Sequence, residues 1–258
     1  MKLDAMFFGA HPDDVELSAG GTVAKLVKLG HKVGICDLTR GEAGTRGSAE
    51  MRDKEAQDAA DILGVEVREN CGLPDTVFKN THENQLKIIQ IIRKYCPDFV
   101  FTQYWNDRHP DHIHASHLVR EAAFYSGLAK TTTSDNGQEQ KAFRPKRVIY
   151  YAARYEFSRA EGSNMFIVDI SDTLEIKMKA MAAFASQFYN PDYQSEEPVT
   201  FISTPEFRES IENRARHFGS LIDKKYGEPF LTKEHFGVSD PVAFLRDGGQ
   251  DMNKLGFA

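Results

Sequence analysis

Two short stretches, far apart in the chain, bring imidazole and carboxylate together: Ala10-His11-Pro12-Asp13-Asp14 and Arg108-His109-Pro110-Asp111-His112. Two histidines and one carboxylate can hold a divalent ion and leave a position open for water. A spare carboxylate beside them is what metal-assisted hydrolysis needs as general base. His11 and Asp14 share one turn, and His112 comes from the other, so these three are the candidate ligands. Zinc is the commonest ion for such a hydrolytic set, iron(II) accepts the same donors, and the residues do not separate the two. Asp13 adjoins Asp14 but points elsewhere in an extended turn, which makes it the candidate base. A plainer reading is that Asp13 and Asp14 merely cap a helix; it leaves the nearby imidazoles unexplained.

In the second motif Asp111 stands two residues from His109. A carboxylate beside an imidazole raises its pKa and fixes its orientation. His109 could then stabilise an oxyanion or protonate a leaving amine. His114 and His117 read as solvated helix residues. The glycines of the 41–47 loop permit close backbone approach to a substrate. They lack the Gly-x-Gly-x-x-Gly order of a dinucleotide fingerprint. Arg46, Arg52 and Arg108 are candidate anchors for a substrate carboxylate or sugar hydroxyls. Arg108 leads because it adjoins the second motif, and Arg52 follows.

These residues need elements to position them. Apolar runs at 3–9, 31–38, 65–67 and 98–102 read as strands. Between them, helical spacing runs over 14–29, from Ser48 to about Gly64, and over 82–95, with a further helix over 111–125. Such alternation is the pattern of an α/β fold with a mostly parallel sheet and helices on both faces, a Rossmann-like three-layer sandwich. Ligands bind such sheets beyond the strands' carboxyl ends, where strand order reverses. Both motifs follow strands, the first and the fourth, which are neighbours in the common 3-2-1-4 order. Farther on, 131–140 reads as a mobile polar loop, 147–152 and 165–170 as strands, and 171–188 and 206–222 as helices. With no linker or repeat evident, residues 1–258 are expected to form one domain.

Composition sets outer bounds. The 258 residues are 41% hydrophobic and 27% charged, which is globular. A net charge of −6 argues against nucleic acid and anionic membrane as partners. Cys36, Cys71 and Cys96 are widely spaced and read as buried, inert thiols of a reducing compartment. The short 5–8 apolar run does not resemble a signal core, and no stretch is long enough to span a bilayer. A cytoplasmic protein is expected.

Taken together, the Ala-His-Pro-Asp-Asp motif, Gly20-Gly21-Thr22, Leu38-Thr39-Arg40-Gly41-Glu42-Ala43-Gly44-Thr45 and His109-Pro110-Asp111-His112 resemble the PIG-L (LmbE-like) deacetylases. The resemblance implies a metal-dependent removal of acetyl from an N-acetylglucosamine (GlcNAc) conjugate. It implies His11, Asp14 and His112 as zinc ligands, Asp13 as base, and a His109–Asp111 pair supporting the tetrahedral intermediate. Arg52 and Arg108 match substrate-contacting positions less closely. The family's carbonyl-polarising tyrosine would be Tyr189 or Tyr193, with Tyr193 favoured. Within the family the chain is most similar to the bacillithiol-biosynthesis deacetylases, whose substrate is N-acetylglucosaminyl-malate. The 214–230 stretch, with Gly219-Ser220-Leu221-Ile222 and Tyr226-Gly227-Glu228-Pro229-Phe230, supports that branch. Alternatives are another GlcNAc substrate (free or in a chitooligosaccharide), an iron(II) oxygenase, and a sugar-binding module with a structural metal. Homo-oligomerisation is compatible with the resemblance.

Overall fold

The computed structural model describes residues 1–152, 164–235, 237–240 and 242. The first half alternates as its hydrophobic pattern predicts: β1 (Ala5–Gly9), α1 (Asp14–Lys28), β2 (Val33–Asp37), α2 (Ala49–Leu63), β3 (Val67–Asn70), α3 (His82–Tyr95), β4 (Phe99–Gln103) and α4 (Pro110–Tyr125). A two-residue hairpin, β5 (Ser134–Asp135) and β6 (Gln138–Glu139), occupies the polar 131–140 segment. The second half adds β7 (Arg147–Tyr151), β8 (Asn164–Asp169), α5 (Leu174–Ala183), α6 (Pro205–Ser220) and β9 (Gly227–Thr232).

Among the described residues, seven strands form one sheet in the order β3-β2-β1-β4-β7-β9-β8. β1 pairs in parallel with both β2 and β4, so the reversal of strand order falls between β1 and β4. Among the described strands, only β9 runs against its neighbours, β7 and β8. Every residue of β1 is buried, as expected for a parallel strand covered on both faces. Along it, Phe7 faces the α1–α2–α5 layer, while Met6 and Phe8 face the α3–α4 layer. The three-layer α/β expectation therefore holds.

Local signals fix the helix ends. Ser48 accepts a hydrogen bond from the Met51 N–H, and α2 stops at Gly64 with φ 73°. Helix α4 begins with Pro110 in its first turn, where a missing N–H costs nothing. Helix α5 is shorter than 171–188; the chain turns out at Phe184, with φ −81° and ψ 61°. Strand β9 escapes sequence reading because Pro229 lies within it, and proline argues against an inner strand. β7 and β9 register at one pair, Tyr150 with Leu231. Cys36 is buried, but Cys71 and Cys96 are only half-buried; all three are free thiols.

Helix α1 is locked to the second half by a buried polar cluster. The Glu228 carboxylate accepts from the Gly21 N–H at 3.0 Å, the Thr22 N–H at 2.7 Å and the Thr22 hydroxyl at 2.6 Å. Lys177 pairs with the same carboxylate, and both side chains are 1% exposed. A Cβ at position 21 would lie 2.8 Å from Ile170, so only glycine admits this approach. Arg214 reaches the Leu17 carbonyl at 3.1 Å and also donates to the Ala152 carbonyl. Glu228 and Arg214, and with them Gly20-Gly21-Thr22, thus hold the scaffold that carries the first motif. Among the described residues, no helix is long and apolar enough to cross a membrane.

Candidate active site

The His11-Pro12-Asp13-Asp14 turn follows β1 directly. Asp13 takes the strained left-handed conformation, φ 115°, at the start of α1. Strain of this kind persists only where surrounding contacts enforce it, and such residues cluster at functional sites. Here the contacts are visible. The Asp14 carboxylate accepts from the His11 N–H at 2.8 Å and from Gln103 Nε2 at 2.9 Å. Gln103 ends β4, so the neighbouring strand fixes the acid.

The two imidazoles converge on that acid. His11 Nδ1 lies 3.3 Å from Asp14 Oδ2, and His112 Nε2 lies 3.1 Å from Asp14 Oδ1. His11, Asp14 and His112 each offer a ligand atom, all within 4.8 Å of one another. Their remaining atoms face further carboxylates. His11 Nε2 lies 3.1 Å from Asp75 and 3.2 Å from Asp111. His112 Nδ1 lies 3.1 Å from Asp107, as an ion-pair contact without hydrogen-bond alignment. Carboxylates behind ligating histidines orient the ring and raise its basicity. Two imidazole nitrogens and one carboxylate on one side, with a cavity opposite, fit a catalytic divalent ion.

The charges agree with that fit. Burial opposes charge on His112, but Asp14 and Asp107 outweigh it and lift its pKa to about 9. Burial likewise opposes the Asp14 carboxylate, yet His112 and His11 hold its pKa well below the usual range. Each ring therefore sits in a field that favours a cation at the Asp14 carboxylate.

Asp13 differs from its neighbour. Burial pushes its pKa up to about 7, against the pull of Arg52 and with the push of Asp14. Arg52 is itself buried. It donates to the carbonyls of Gly41 and Pro12 and pairs with Asp13 at 3.1 Å. Gly41 has φ 67°, and a Cβ there would fall on the guanidinium. Arg52 thus pairs with Asp13 and also lines the cavity, where the sequence places a substrate contact.

A cavity of about 320 Å³ opens over these groups. One wall is apolar: Leu17, Phe188, Ile202 and Phe207. Arg108 and His109 line it too. Arg108 is exposed and has no ion pair or hydrogen bond among the described residues. His109 caps α4, and its Nδ1 accepts from the Asp111 backbone N–H at 3.2 Å. The expected carboxylate support from Asp111 is replaced: that side chain turns to His11. Burial and the neighbouring His112 and His11 lower the His109 pKa, the reverse of the expected rise.

Tyr193 does not reach the cavity lining. Its hydroxyl contacts Glu197 at 3.3 Å, and its ring lies under Arg46. Tyr189 lines a separate small void with Met178 and Met181. Arg46 is spent on the Ser186 and Pro198 carbonyls. Sequence reasoning missed Asp75, Asp107 and Gln103. Asp107 lies beside the second motif, and its proximity was the one available signal; Gln103 and Asp75 gave none.

Known proteins resemble this chain in sequence and in fold. The PIG-L family profile, described as GlcNAc-PI de-N-acetylase, matches residues 6–123. The diacetylchitobiose deacetylase of Thermococcus kodakarensis is 29% identical over 84% of this chain and 78% of its own. A conserved protein from Thermus thermophilus has a solved structure that superposes with a TM-score of 0.78 at 34% identity, covering 92% of this chain and 98% of that one. The N,N'-diacetylchitobiose deacetylase of Pyrococcus horikoshii, solved with an inhibitor, gives 0.73 at 28% identity, over 93% and 88%.

Proposed function

The chain belongs to the PIG-L family, and on that premise we propose that it removes the N-acetyl group from a GlcNAc conjugate, with N-acetylglucosaminyl-malate of bacillithiol biosynthesis as the substrate. The observation that carries the reaction class is the buried Asp13 carboxylate beside three convergent ligand atoms at the floor of a cavity. His11, Asp14 and His112 would hold the ion, and zinc suits the donor set. A bound ion supplies Lewis acidity to water and to the acyl oxygen.

The chain's own residues supply the rest. Asp13, whose pKa burial pushes up to about 7, takes a proton from the attacking water. The same carboxyl, once protonated, is placed to return that proton to the leaving amine. His109 plays a different part. Its Nδ1 accepts from a backbone N–H, so the neutral ring carries its proton on Nε2 and offers a donor to the developing oxyanion. Its lowered pKa favours this neutral donor over an imidazolium acid. Arg52 keeps Asp13 aimed.

Arg108 supports the malate conjugate, because its exposed guanidinium at the cavity suits a carboxylate. The apolar wall of Phe188, Ile202 and Phe207 favours a second reading, a chitooligosaccharide whose sugar face lies against it. The Thermococcus and Pyrococcus relatives are named for that activity. A deacetylation assay comparing N-acetylglucosaminyl-malate, diacetylchitobiose and free GlcNAc separates them. Preference for the malate conjugate is expected; preference for chitobiose would overturn the substrate and keep the class. We further propose that residues 1–258 act as one domain in the cytoplasm.

A further inference from the structure

Asp75 belongs to neither motif, yet its carboxylate touches the ligand set. Oδ1 lies 3.1 Å from His11 Nε2, and Oδ2 accepts from the Ala43 backbone N–H at 3.0 Å. The Asp75 N–H in turn donates to Glu42 Oε1 at 2.8 Å. The other Glu42 oxygen accepts from the Arg40 N–H at 3.2 Å. The Asp75 side chain is 4% exposed. The glycine-rich loop and the 75–76 segment are therefore joined at two points, and one of them continues into a candidate ligand. Both segments face the substrate space, since Ala43, Gly44, Thr45 and Thr76 line the cavity. Thr76 is held at φ 65°, a conformation that costs energy and persists only where neighbours enforce it.

His11 Nε2 has a second claimant, Asp111 Oδ2, at 3.2 Å. One N–H cannot align fully with two carboxylates. Asp111 is anchored by the first turn of α4, whereas Asp75 is anchored by the loop. A shift of the loop therefore changes which acid orients the imidazole, and so how His11 Nδ1 faces Asp14.

We infer that Asp75 is a positioning residue that ties the orientation of His11 to closure of the 40–45 loop on the substrate; this rests on the deacetylase reading above. A sugar seated against Ala43–Thr45 steadies the loop, and the steadied loop keeps Asp75 on His11. The coupling is reciprocal, so a metal bound through His11 favours the closed loop. Glu42 is the brace on the loop side and does not touch the ligand.

The test uses full-length protein freed of metal and titrated with Co²⁺, which reports affinity and, through its visible spectrum, ligand geometry. Carboxylates behind a ligating histidine are worth roughly 10- to 100-fold in metal affinity. Asp75→Asn is expected to weaken Co²⁺ binding by about that factor and to change the spectrum. Saturating GlcNAc is expected to tighten Co²⁺ binding in the wild type and not in Asp75→Asn. Glu42→Gln is expected to raise KM and to weaken Co²⁺ binding by less than Asp75→Asn does. If Asp75→Asn does not fold, Asp75→Glu serves in its place, with a shifted spectrum expected. A variant at Asp75 that matches a metal-binding, active wild type in affinity and spectrum overturns this inference alone. A wild type that binds no Co²⁺ overturns the deacetylase reading and this inference with it.

Discussion

Arg52 Nη2 lies 3.1 Å from Asp13 Oδ2, and both side chains are buried. Burial pushes the Asp13 carboxyl up to about 7, and Arg52 pulls in the opposite direction. Arg52→Met should therefore let Asp13 keep its proton to higher pH. The base works only when deprotonated, so the acid limb of kcat/KM should move upward in pH. The pH–rate profile of the folded variant checks this; an unmoved limb would show that Asp13 is not the group being read.

Asp13 and His112 should separate catalysis from metal retention. Asp13→Asn should keep the ion and lose roughly 10²- to 10⁴-fold in kcat, the usual contribution of a positioned base. His112→Ala removes one of three candidate ligands and should lose the ion. Elemental analysis beside turnover distinguishes them. Full occupancy in His112→Ala would exclude that ligand.

Arg108 should decide charge preference. It is an exposed cation lining the cavity, and a hydrogen bond to a charged group contributes about 1.5–3 kcal/mol. Arg108→Ala should therefore cut kcat/KM for the malate conjugate by about 10-fold or more. Free GlcNAc, which has no carboxylate, should be turned over as before. Equal losses on both substrates would remove Arg108 from the specificity argument.

The legible part of this molecule was local. Hydrophobic periodicity placed β1, β2, β4 and helices α1 to α4 because each is amphipathic or fully apolar on its own terms. The two motifs named His11, Asp13, Asp14, His109 and His112, which the fold brings to adjacent strand ends. What escaped were pairings made across the fold. Asp75 reaches His11 over 64 residues, and Gln103 reaches Asp14 over 89. Asp111 has two imidazoles within reach, and spacing alone favours the one nearer in sequence. Tyr193 matched a residue type, but the contacts of its hydroxyl with Glu197 and Met51 keep it from the cavity lining. By family likeness the 214–230 stretch reads as a substrate signal. Its Arg214 and Glu228 instead meet α1, where family likeness and scaffold need coincide.

Lys177 and Glu228 carry the last prediction. Their ion pair is buried, and Glu228 also accepts from Gly21 and Thr22 of α1. Lys177→Met leaves a buried carboxylate without its counter-charge, which typically costs about 3–5 kcal/mol. Lys177→Met with Glu228→Gln removes both charges and should recover part of that loss. The pH dependence has a defined sign. Burial lowers the Lys177 pKa from 10.5 to about 8, with Glu228 opposing. Between those values the unfolded chain binds more protons, so wild-type stability from this group rises with pH. Lys177→Met should lack that rise. Denaturant melts of the three proteins from pH 7 upward measure both effects, and an unchanged midpoint in Lys177→Met would mean that α1 does not depend on this pair.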